Sequence, residues 1–143
     1  MSQIQIFFPM SALALWTLMV LLLIPIYRFR AAARKEVVAD DFKLGESRNV
    51  PEWVSLANRN YMNLLELPVL FYVACLTSFV TNAVDASALA FAWTYVALRI
   101  AHSFVHLVYN NVMHRVIVFA SSNIVLVIIW MRLLAHLLET ASV

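Results

Sequence analysis

Four long apolar runs, separated by short polar interruptions, organise the whole chain. They cover about residues 4–29, 52–81, 86–110 and 115–138. A bilayer core needs about 20 apolar residues per helix, and each run meets that length. Pro51 followed by Glu52 suits a helix start, because proline is tolerated at the first position and an acid suits the first turn. Asn82-Ala83-Val84-Asp85 is a short connection, so the second and third helices are expected to be antiparallel neighbours. Asn110-Asn111 marks the turn into the fourth. The segment from about 30 to 50 is the only polar one, and it mixes signs (Arg34-Lys35-Glu36, Asp40-Asp41, Lys43, Glu46, Arg48). It reads as a solvated loop with a frayed helical extension of the first span. The expected fold class is an all-α, integral membrane four-helix bundle forming a single domain.

Composition agrees. The 143 residues are one domain's worth, 64% of them hydrophobic and 13% charged. Met1-Ser2-Gln3-Ile4-Gln5 carries no Lys or Arg and the first run is long, so it reads as a retained span rather than a signal peptide. A lone Cys75 forbids an internal disulfide and offers no metal constellation, so no metal is expected. A net charge of +2, with no basic stripe interleaved with aromatics, points away from nucleic acid.

The cations orient the bundle. Arg28, Arg30, Arg34, Lys35, Lys43 and Arg48 lie between the first two spans, and Arg115 lies between the last two. The positive-inside rule puts both connections in the cytoplasm and both termini outside. An integral membrane location is expected. Arg132, near the far end of the fourth span, is the contrary charge and is expected to snorkel to the interface.

Polar groups recur at one depth. Arg59, Asn63 and Glu66 are spaced i, i+4, i+7 and share a helix face. Arg99, His102 and His106 fall within an arc of about 60° on the third helix. Following the span directions, both groups come to the cytoplasmic half, with Arg115 and with Arg28 and Arg30. A charged side chain there costs roughly 2.5–3.5 kcal/mol on insertion scales, so something must pair with it or use it. Glu66 and Arg99 are expected to form a buried ion pair. The remaining surplus of Arg invites an anionic partner, which guanidinium binds bidentately. Pro68 should kink the second span and free a carbonyl for a neighbouring side chain.

Arg59-x3-Asn63-x2-Glu66 followed by Pro68, Arg99-x2-His102, Arg115 at the start of the fourth span and Arg28-x-Arg30 ending the first together resemble the MAPEG family, membrane-associated proteins in eicosanoid and glutathione metabolism. The run Asn63-Leu64-Leu65-Glu66-Leu67-Pro68-Val69-Leu70-Phe71-Tyr72 is similar to a bacterial branch of it. The resemblance implies a homotrimer with glutathione, the co-substrate, between adjacent subunits. By position, Arg28, Asn63, Glu66, His102 and Arg115 would contact glutathione, with Arg99 paired to Glu66. Arg115 is the implied catalytic residue, because a nearby cation stabilises a thiolate. Active members commonly carry a Tyr one turn beyond His102. His106 stands there instead and is able to donate a hydrogen bond to a thiolate.

Two classes of function follow. The first is a glutathione-dependent transferase or peroxidase acting on lipophilic electrophiles dissolved in the membrane. The alternative is a non-catalytic membrane binding or scaffold protein on the same fold, holding lipid or a partner helix. A proton or ion carrier using Arg99, His102 and His106 is weaker, since the outer half of the first three spans reads as dry.

Overall fold

A computed structural model describes residues 2–142. It is all-helical. Four helical segments are long and apolar enough to cross a membrane: Gln3–Ala33, Glu52–Val80, Ala86–Val108 and Val112–Ala141. The helices are α1 (Phe7–Ala33), α2 (Glu52–Leu65), α3 (Pro68–Val80), α4 (Ala86–Val108) and α5 (Val112–Ala141). A 3-10 turn, Gln3–Ile6, leads into α1.

The second span is two helices rather than one bent helix. At Glu66 the backbone turns to φ −77°, ψ −99°, and Pro68 opens α3 in its first turn. Proline costs nothing there, because its missing N–H would be unpaired in any case. The break therefore sits where the ring ceases to be a defect.

Helix ends are closed by residues in the left-handed region. Lys35 (φ 59°), Asn82 (φ 56°) and Asn110 (φ 45°) follow α1, α3 and α4. After α1, the Glu36 amide donates to Ala31 and the Lys35 amide to Ala32; after α3, Ala83 donates to Ser78 and Asn82 to Phe79. These are Schellman closures, and they satisfy carbonyls that a helix end leaves free. The N-termini of α4 and α5 are capped too. Asp85 accepts from the Ala88 amide at 2.6 Å, and Asn111 from the His114 amide at 3.1 Å.

α4 is the central helix, packed on α5, α1 and α2, while α3 leans on α5 and the N-terminal turn. Gln3 pins that turn to the α3–α4 connection, donating to the Val84 carbonyl (3.2 Å) and accepting from its amide (2.9 Å). The core runs through Leu13, Val20, Leu64, Phe71, Ala92, Tyr95, Val96 and Leu126. Phe71 stacks on Tyr95 with centroids 4.6 Å apart. α5 contributes only Ser122, Leu126 and Leu133 to the buried set and shows lipid or a neighbour the rest of its apolar surface.

The polar connection is more ordered than a solvated loop. α1 continues to Ala33, and Ala31, Val37, Val50 and Val54 form a second apolar cluster flanked by Tyr27, Phe42 and Trp53. Asp41 holds it from within, accepting from the Val38 amide at 2.9 Å and the Ser47 hydroxyl at 2.7 Å. Those bonds keep the Asp41 carboxyl below the usual carboxylate range, the Val38 amide acting most strongly.

Arg132 does not snorkel alone. It pairs with Asp85 at 3.1 Å and donates to the Ser87 hydroxyl at 2.6 Å. The partner lies in the short connection before α4, too far away in sequence for helical spacing to reveal it.

Candidate functional site

α4 turns one polar stripe into the protein: Arg99, His102, Ser103 and His106 are all buried, and Arg99 is fully so. Their 3.6-residue spacing puts them on the side facing α2 and α5. The His102 and His106 rings meet edge to face at 6.0 Å. Phe119 of α5 covers both kinds of group, with its ring 5.7 Å from His102 and the Arg99 guanidinium 5.5 Å from its centroid.

Arg99 Nη2 donates to the backbone carbonyl of Asn63. That carbonyl is available because the helix breaks three residues later. The Leu67 amide, its ordinary partner in an unbroken helix, closes no bond to it among the described residues. The freed acceptor is Asn63, one residue before the Leu64 carbonyl that the missing proline N–H exposes.

The ion pair expected between Glu66 and Arg99 is not formed within one subunit: no such contact lies within 4 Å among the described residues, and Glu66 is exposed. The physical reason is the register of α2: Glu66, whose amide still donates to the Met62 carbonyl, stays on the helix face of Arg59 and Asn63, turned away from the buried stripe of Val54, Ala57, Asn60 and Leu64. Arg59 is exposed and Asn63 half-buried. The Asn63 amide is turned back along its own helix to the Arg59 carbonyl at 2.9 Å. Arg59, Asn63 and Glu66 thus form an outward polar face on α2.

The inward face of α2 is Val54, Ala57, Asn60 and Leu64. Asn60 is fully buried, and neither its Oδ1 nor its Nδ2 has a partner among the described residues. Sequence reasoning chose Asn63 and missed Asn60. The signal was present, since Asn60 lies four residues before Leu64 on the apolar stripe.

Arg115 joins a surface chain: its Nη1 donates to the Asn110 side chain at 2.7 Å, and Asn110 Nδ2 donates to Glu52 at 3.3 Å. This ties the α4–α5 turn to the start of α2. Arg28 is held by the ordered loop, 3.6 Å from Glu46 and 4.4 Å from the centre of the Phe42 ring.

Several buried polar atoms in this region have no partner among the described residues: Arg99 Nε and Nη1, His102 Nδ1, Ser103 Oγ, His106 Nδ1, Arg115 Nε and both amide atoms of Asn60. Native interiors pair nearly all such atoms. Such atoms, two guanidinium groups among them, are donor-rich and suited to a carboxylate or a thiolate. No group of His, Cys, Asp and Glu suited to a metal ion occurs among the described residues.

The family model for MAPEG matches residues 6–135. The chain belongs to the MAPEG family. No curated protein and no solved structure gives a significant match. MAPEG members include glutathione-dependent enzymes. The match takes in α1 through most of α5, and so every residue of the buried stripe and of the outward face of α2.

Proposed function

We propose that this MAPEG protein is a homotrimer that binds glutathione between subunits and conjugates it to lipophilic electrophiles taken from the membrane. The carrying observation is that one subunit leaves polar atoms without partners among the described residues on two faces: atoms of the buried Asn60, Arg99, His102 and His106, and the charged ends of the outward Arg59 and Glu66 of α2. A span with Arg59 and Glu66 facing lipid carries a cost of several kcal/mol that a neighbouring copy and a zwitterionic peptide would remove.

Bound glutathione supplies the thiol nucleophile. Arg115 is the residue we place beside that sulfur, where its charge favours the thiolate. Arg28, Asn63, Glu66 and His102 are the proposed contacts to the peptide's charged ends. Glu66, free of Arg99, is available to an ammonium group. His106 occupies the position from which a hydrogen bond to the sulfur is made, with its Nδ1 uncommitted. Arg99 has a positioning role: it fixes the break of the second span and hence the direction of Glu66. The exposed apolar surface of α5, including Val116, Ile117 and Ile124, gives the electrophile a route from lipid.

The distribution of Lys and Arg supports Arg-rich connections in the cytoplasm and both termini across the membrane, and the likeness to a bacterial branch of the family supports a bacterial inner membrane. Calorimetric titration of detergent-purified protein with glutathione tests the reading, paired with conjugation of a generic aromatic electrophile. Saturable binding and turnover support it. A trimer that neither binds nor turns over overturns it and leaves the binding or scaffold role on the same fold.

A further inference from the structure

A cavity of about 290 Å³ opens at the other end of the bundle, away from the Arg-rich loop and from every residue placed in the chemistry above. Its walls are apolar, with Phe71 and Cys75 from α3, Phe91 and Ala92 from α4, and Ile129 and Leu133 from α5. Its rim is polar: Asp85, Arg132, His136 and Glu139. We infer that this cavity is a binding site for a small lipophilic amine, with its apolar body between α3, α4 and α5 and its ammonium group at Glu139.

Size sets the body. A dry cavity of about 150 Å³ holds a benzene, so about 290 Å³ suits a compact two-ring body. Phe71 and Phe91 offer it ring faces.

The sign of the head group follows from which rim charges are committed. Arg132 is taken by Asp85 and Ser87, and its guanidinium also lies 5.8 Å from the centre of the Phe91 ring. Asp85 in turn accepts from Ala88 and Ser87. His136 Nε2 lies 3.1 Å from the Thr81 carbonyl oxygen. Glu139 alone among the rim acids has no cation within 4 Å among the described residues. The C-terminal ends of α3 and α5 also converge here, and both favour positive charge. Ser78, itself buried, adds a hydroxyl to the wall. An anionic head would meet two carboxylates and an Arg already engaged.

The test uses the full chain in phosphatidylcholine nanodiscs, with 2-naphthylmethylamine as a fluorescent probe and 2-naphthylacetate as its anionic counterpart. The amine should bind saturably, one per subunit, beyond its partition into empty nanodiscs. Glu139→Gln, at an exposed position, should weaken binding about tenfold, and Ala88→Phe should abolish it by filling the cavity. Naphthylacetate should not exceed the empty-nanodisc level. Equal binding of amine and acid, unchanged affinity in Glu139→Gln, or partition without saturation (as when a neighbouring copy fills the cavity) would each overturn the inference. Glutathione takes no part in this readout, so its outcome is separable from that of the proposed conjugation.

Discussion

Arg99 of α4 bonds the backbone carbonyl of Asn63 at the point where the second span breaks, so a guanidinium stands where a backbone amide would close a helix. Removing it leaves a buried acceptor unpaired, which costs about 1–3 kcal/mol. Arg99→Leu should therefore lower stability by about that much in chemical denaturation of the detergent-solubilised protein. Arg99→Lys should recover only part of the loss, because a point charge on a flexible stem does not reproduce the fork. Wild-type stability in Arg99→Leu would show that the contact contributes nothing.

Glu66 leads to the opposite expectation. Its carboxylate is exposed and has no partner among the described residues, so Glu66→Ala should change subunit stability by less than about 0.5 kcal/mol. Its effect should appear instead in glutathione affinity and in assembly, measured by calorimetry and by sedimentation. Collapse of the isolated subunit would restore a structural role to this carboxylate.

At Arg115 the proposed catalysis and folding can be told apart. Losing its bond to Asn110 should cost about 1 kcal/mol. Losing a cation beside a developing or resident anion costs about 10²-fold or more in rate. Arg115→Ala should then retain its trimer and its near-native thermal unfolding, while conjugation falls by about that factor. Ultraviolet thiolate absorbance on glutathione addition should disappear with it.

Asp85 makes the other end of the bundle acid-sensitive. Its carboxyl is held below 3.8, chiefly by the Ala88 amide and the Ser87 hydroxyl, with Arg132 adding to them. A folded-state value below the unfolded one gives stability that is complete above the unfolded value and is lost as pH falls through the folded one. Unfolding midpoints should drop as pH is lowered from about 5 to about 3, and Asp85→Asn should flatten that slope. An unchanged slope in the variant would assign the acid sensitivity to other carboxylates, Asp41 among them.

The apolar runs carried the architecture in plain view, because a bilayer leaves so few ways to satisfy a backbone. Pro68 announced a disturbance in the second span, and Arg99 announced a need for an acceptor. What could not be read was which face of α2 turns toward α4. Common depth and opposite charge suggested pairing Glu66 with Arg99, but Glu66 shares the outward face of Arg59 and Asn63. Asn60 was legible, four residues before Leu64 on the apolar stripe, but it lies opposite the face the motif drew attention to. Asp85 and Arg132 meet only because α4 and α5 pack side by side, which no local pattern states. Arg28 likewise meets Glu46 and Phe42 only once the connecting segment folds back.

The small apolar knot of Ala31, Val37, Val50 and Val54 has a practical corollary. It anchors both stems of the segment yet excludes its tip, where Leu44 is 99% exposed and Gly45, at φ +100°, has open space around its α-carbon. A reporter peptide spliced between those two residues would be displayed on a fixed pedestal, whereas the same graft beside Val37 or Val50 would pry the pedestal apart.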